Sequence, residues 1–155
     1  MKQWLIALLL VPSVVSAQTN PASDAARRWR EQHERAIVDE LVTLLAVPNV
    51  SSDTPNIRRN AELIAKMLDS RGIAAKLVSV PGGNPIVVGE IRTPGATRTI
   101  GFYAHYDGQP LDPKEWASPP FQPTLRNSRI EDGGMPVPLP PPGTPFERES
   151  RLPER

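Results

Sequence analysis

The sequence predicts an α/β protein, two helices followed by a partial mixed β-sheet. Three observations lead there. Apolar residues recur at helical spacing in two stretches before Gly72. Beyond Gly72 the period shortens to that of strands, with glycine- and proline-rich turns between them. Finally, Thr99-Ile-Gly-Phe-Tyr-Ala104 is almost continuously apolar, which suits a central strand covered on both faces. Two helices and then strands, one of them fully buried, describe a layered α/β arrangement.

The first helix has Ser23 and Asp24 as caps and runs through Trp29 to about Ala46. Ile37, Leu41, Leu44 and Leu45 form its apolar stripe, with Arg35, Asp39, Glu40 and Thr43 between them. Val47-Pro48 stops it, because a residue before proline is driven out of the helical region. Thr54-Pro55 opens the second helix, threonine capping and proline in the first turn, where its missing N–H costs nothing. Ile57, Ala61, Ile64 and Leu68 make the buried stripe. Arg71 and Gly72 end it, a cation near the negative end of the dipole and a glycine just past it. Strands are expected over residues 73–80, 86–91 and 98–104, separated by Pro81-Gly82-Gly83-Asn84 and Thr93-Pro94-Gly95-Ala96.

Composition bounds the rest. Lys2, the apolar run from Leu5 to Val11, the break at Pro12-Ser13 and the small residues ending at Ala17 have the form of a secretory signal. Cleavage after Ala17 would make the protein secreted or periplasmic; a retained N-terminal anchor is the alternative. That run is far shorter than the roughly 20 residues needed to span a bilayer. Removing Lys2 leaves 17 basic residues against 17 acidic ones, so no basic excess points to nucleic acid or to an anionic membrane. The absence of cysteine excludes disulfide stapling and lipoprotein anchoring. Twelve of the 19 prolines fall from Pro110 onward, so a core must come mainly from what precedes them. The expected organisation is a signal peptide at 1–17, a linker at 18–28, a folded domain at 29–131 and a tail at 132–155. That tail, rich in proline and glycine and then charged, should be extended or disordered, having too little apolar surface to offset its ordering entropy. A proline-rich ligand for an aromatic groove is the other reading of it.

The chemistry centres on Phe102-Tyr-Ala-His105-Tyr-Asp107-Gly108. In extended chain, residues two apart point to the same face, so His105 and Asp107 would leave the carboxyl end of a central strand together, where α/β sheets place ligands. An imidazole there can bind zinc through one nitrogen while a carboxylate orients it, and Gly108 would allow a tight turn. The same spacing also suits a structural histidine. His33, the only other histidine, lies among Arg30, Glu31, Gln32, Glu34 and Arg35 and reads as a solvated helix-face residue. Tyr103 and Tyr106 read as packing residues, and Asn49-Val-Ser51 has the form of a glycosylation acceptor.

Val47-Pro48-Asn49-Val50-Ser51 after an amphipathic helix, a helix ending Leu68-Asp-Ser-Arg-Gly72, and Tyr103-Ala-His-Tyr-Asp-Gly-Gln-Pro110 together resemble one family in order and spacing. It is that of the dizinc metallopeptidases, which includes acetylornithine deacetylase, glutamate carboxypeptidase and carnosinase. Trp116-Ala-Ser-Pro-Pro-Phe121 and Leu125-Arg126 are most similar to its dipeptidase branch. The resemblance spans about residues 29–146. It implies an incomplete three-layer zinc-peptidase catalytic domain, with His105 as a metal ligand and Asp107 as the catalytic carboxylate that orients it. In such a metallopeptidase two zinc ions activate a water that attacks the amide carbonyl of a dipeptide or acyl-amino acid, and a glutamate acts as base. The bridging aspartate, the Glu-Glu pair, a further acidic ligand and a distant histidine have no counterpart in this sequence. Asp132, before Gly133-Gly134, sits in the insert that precedes the family's next motif and does not substitute for the bridging aspartate. The expectation is therefore a hydrolase fragment, inactive alone and a weak zinc binder, whose partner would be a complementing C-terminal half. The alternatives are an exported, non-catalytic partner-binding or complementing module, and an unrelated exported α/β binding module in which the His-x-Asp is incidental.

Overall fold

The computed structural model describes residues 20–152; the expected signal peptide lies outside the described residues. The chain divides into two compact units, Met1–His33 and Glu34–Arg155. Helix α1 spans Pro21–Leu45, so its N-terminal half belongs to the first unit, and it buries none of its residues. Helix α2 spans Thr54–Asp69 and buries Ile57, Asn60 and Ala61. Strands β1, Ala75–Val78, and β2, Ile86–Gly89, pair antiparallel in the register Ala75 to Gly89 and Val78 to Ile86. A short 3-10 turn, Pro113–Glu115, follows.

Local chemistry accounts for these boundaries. Asp53, rather than Thr54, caps α2: its carboxylate accepts from the Asn56 backbone N–H at 3.3 Å, and Pro55 sits in the first turn as expected. At the other end Gly72 adopts φ +74°, and the Ile73 N–H reaches back to the Leu68 carbonyl at 3.1 Å. That left-handed closure turns the chain from α2 toward β1. Arg71 lies at the C-terminal end of α2, donating to the Met67 carbonyl at 2.8 Å and pairing through both terminal nitrogens with the Glu40 carboxylate of α1. Gly89 is needed where β2 meets the end of α2, since a Cβ there would lie 2.9 Å from Ile73 Cγ2 and 3.4 Å from Leu68 Cδ1.

The mixed, three-stranded sheet is corrected to a two-stranded antiparallel hairpin. Residues 98–104 form no strand and make no backbone hydrogen bond to any described residue. Instead of being the most buried segment they are among the most exposed, with Ile100 78% and Phe102 94% accessible. The physical reason is that an apolar, two-faced strand is stable only with neighbours on both edges and layers on both faces. The described residues supply neither.

The buried apolar side chains among the described residues are Ile57, Ala61 and Leu125. The first two belong to α2, which packs on the β1–β2 hairpin. The third belongs to a separate cluster around Arg126. There the Arg126 backbone exchanges two hydrogen bonds with Arg151, at 2.8 and 2.9 Å, and the Val137 N–H donates to the Leu125 carbonyl at 2.8 Å. Arg126, only 7% exposed, donates from its guanidinium to the carbonyls of Gly134 and Ala117 and to the Ser118 hydroxyl. The described part of the tail thus contains no helix or strand, yet it is attached to the body at definite points. Pro141-Pro142-Gly143-Thr144 closes a turn with Gly143 at φ +83° and the Thr144 N–H on the Pro141 carbonyl, the residue pattern of a type II turn.

Candidate active site around His105 and Asp107

The His105–Asp107 segment is held from below by two asparagines. Asn60, on the buried face of α2, donates from Nδ2 to the Pro48 carbonyl at 2.7 Å, fixing the loop that follows α1. The next residue, Asn49, accepts from the Gly108 N–H at 2.7 Å through its backbone and donates from its side chain to the Tyr106 carbonyl at 3.2 Å. The Ser51 N–H completes a parallel bridge by donating to the Gly108 carbonyl at 2.9 Å. Glycine at 108 serves close approach rather than an unusual turn: a Cβ there would meet Asn49 Oδ1 at 2.9 Å. Tyr106 adds a third tether, its hydroxyl donating to the Pro85 carbonyl before β2. Burial, and then the Asp107 charge, raise the Tyr106 pKa above its ordinary value.

On this base His105 and Asp107 come together, though not as two side chains leaving a strand. The His105 Nδ1 lies 2.8 Å from the Asp107 backbone carbonyl and 3.4 Å from its carboxylate Oδ1. A carbonyl only accepts, so Nδ1 donates to it, and the neutral ring with this tautomer keeps its lone pair on Nε2. The backbone of Asp107 is the closer orienting group. Both side chains remain accessible, 73% for His105 and 43% for Asp107.

They open onto a groove of about 980 Å³ lined by apolar side chains of both helices, among them Leu44 and Met67, and by Trp116 and Phe121. Phe121 holds φ 61°, a left-handed conformation that a bulky residue adopts at a cost of about 1–3 kcal/mol. Tyr103 is exposed, whereas Tyr106 packs. His33 stacks on Trp29 and plays no part in this site.

A catalytic zinc takes three protein ligands and a water. Among the described residues no three His, Asp or Glu side chains converge to hold a metal, and Asp132 joins no such group. His105 offers one ring nitrogen, but the described residues do not make a complete zinc set. Asn49 and Asn60 are the positioning residues that motif reading passes over. An asparagine inside the apolar stripe of α2 was the available signal, because a buried amide must find partners. The Asn49 side-chain amide donates to the Tyr106 carbonyl. No helix among the described residues is long and apolar enough to cross a membrane. Compared with protein-family models, with curated proteins and with solved structures, the chain matches none.

Proposed function

We propose that this chain contributes one metal-binding element to a zinc-dependent amide hydrolase acting on dipeptides or acyl-amino acids, related to the acetylornithine deacetylase, glutamate carboxypeptidase and carnosinase family. His105 is one zinc ligand through Nε2, and Asp107 orients it. The other ligands and the general base come from further protein. The observation that carries this reading is the pairing of His105 Nδ1 with Asp107 beside an extended, apolar and unpaired stretch at 98–104. On this reading the stretch would become a ligand-bearing strand end within a larger sheet. The order of the Pro48-Asn49, Arg71-Gly72, His105-x-Asp107 and Trp116-to-Phe121 motifs supports the same family.

The test is to purify the protein starting at Gln18, titrate it with zinc and cobalt, and measure bound metal and turnover on a panel of dipeptides and acyl-amino acids. The expected result is weak metal binding that His105→Ala abolishes and His33→Ala leaves intact, with no turnover. Metal binding indifferent to His105→Ala would overturn the assignment. Turnover lost in His105→Ala would show that the chain completes its own site.

The same exposure of residues 98–104 favours a second reading, an exported non-catalytic module that binds or complements a partner through that stretch. A partner that protects 98–104 without raising zinc affinity would select it over the first.

A further inference from the structure

The first described unit, the N-terminal half of α1, has a surface pattern that the near balance of charge over the whole chain conceals. From Pro21 to His33 every residue is exposed except Asp24, which is half-buried. At about 100° per residue, Ala22, Ala25, Ala26, Trp29 and His33 fall on one side. Asp24 and Glu31, the acidic residues of this stretch, fall on the opposite side with Arg27. Arg28 and Arg30 occupy the two shoulders, each about 100° from Trp29. The indole, 53% accessible, is held in place rather than free to tumble: the His33 ring stacks on it at 4.2 Å and 15°, and His33 Nδ1 bonds the Trp29 carbonyl at 2.7 Å.

We propose that this face docks on an anionic lipid surface. The charge pattern fits that occupant: Arg28 on one shoulder and Arg30, which also meets the Glu31 carboxylate at 3.5 Å, on the other can reach lipid phosphates while the indole rests at headgroup depth. This inference stands independently of the hydrolase reading.

The test uses the protein starting at Gln18, so that the apolar leader cannot itself partition, carrying Trp116→Phe so that Trp29 reports alone. It is mixed at low salt with vesicles of phosphatidylcholine, with or without phosphatidylglycerol, and followed by sedimentation and indole fluorescence. Binding and a blue shift are expected only with phosphatidylglycerol. Arg28→Glu with Arg30→Glu should weaken partitioning at least about tenfold, since each such residue contributes about 1 kcal/mol near an anionic surface. Trp29→Ala should weaken it several-fold. Arg58→Glu with Arg59→Glu on α2 is the control and should leave it unchanged, and circular dichroism confirms that each variant keeps its helix content. The proposal is overturned by no binding, by equal binding to both vesicle types, by equal loss in the α2 control, or by a Trp29-dependent dimer in light scattering without vesicle binding.

Discussion

A methyl group at position 108 would sit 2.9 Å from Asn49 Oδ1, closer than a Cβ normally comes to any atom. The Asn49 side chain can swing away only by giving up its hydrogen bond to the Tyr106 carbonyl. Gly108→Ala should therefore cost about 1 kcal/mol in urea unfolding, and the cost should shrink in an Asn49→Ala background, where nothing remains to be displaced. Equal costs in both backgrounds would show that backbone conformation, not crowding, requires glycine. Asn60 makes a related case at a buried position. Its amide bonds the carbonyls of Pro48 and Asn56 at 2.7 and 3.0 Å. Asn60→Leu should destabilise by about 1–3 kcal/mol, leaving a Pro48 carbonyl with one partner fewer and loosening His105 with the loop beneath it. Unfolding curves, together with the His105 ring resonances, would measure both effects.

At the scale of elements, α1 and α2 are joined by the two-pronged contact of Arg71 with Glu40. The hydrogen bond from Arg71 holds the Glu40 carboxyl below its usual range and raises the guanidinium in turn. A carboxylate whose folded pKa is depressed stabilises the fold above its unfolded pKa and loses that contribution as the pH falls through the folded value. Both groups are substantially exposed, so the contribution is at most about 1 kcal/mol. Stability should thus decline on acidification through the carboxylate range, and Glu40→Gln should flatten that part of the profile. An unchanged acid limb in Glu40→Gln would remove the pair from the explanation.

Residues 98–104 are the element on which sequence and structure part. The two helices and the hairpin were legible because their signals are local: periodic apolar residues, Pro55, Gly72, and the turn between β1 and β2. The continuous apolar run at 99–104 gave an equally clear local signal for a buried strand, but burial of a central strand is a property of its neighbours. With none supplied by the described residues, Ile100 and Phe102 stay in solvent. Amides of 98–104 should exchange with deuterium at nearly unprotected rates, and Phe102→Lys should reduce self-association at high concentration. Slow exchange there in dilute solution would mean that another chain already pairs with this stretch. The candidate site was legible in the same partial way. The His105-x-Asp107 motif names the chemistry, whereas Asn49, Asn60 and the Asp107 carbonyl, which set its geometry, carry no motif at all.

At the scale of the molecule, the small inventory of buried apolar side chains among the described residues, Ile57, Ala61 and Leu125, places stability in two separate spots. One is the α2–hairpin contact. The other is the cluster around Arg126, whose buried guanidinium is met by two carbonyls and one hydroxyl while its Nε has no partner among the described residues. Arg126→Ala should release residues 133–151 to early proteolytic cleavage while leaving β1 and β2 protected, because the two spots share no side chain. Simultaneous loss of protection in both regions would show them to be one cooperative unit.

The backbone exchange between Arg126 and Arg151 also makes the intervening chain a closed ring, fastened at its neck and crossed by the Pro142-Gly143 turn at its exposed edge. The entropy lost in closing such a ring grows only with the logarithm of its circumference, about 0.6 kcal/mol for each doubling. The neck, not the length, therefore governs whether the ring stays shut. A foreign peptide as long as the ring itself, spliced between Pro142 and Gly143, should leave the fastening at Arg126 closed, which makes that turn a tolerant port for an epitope or a fluorophore.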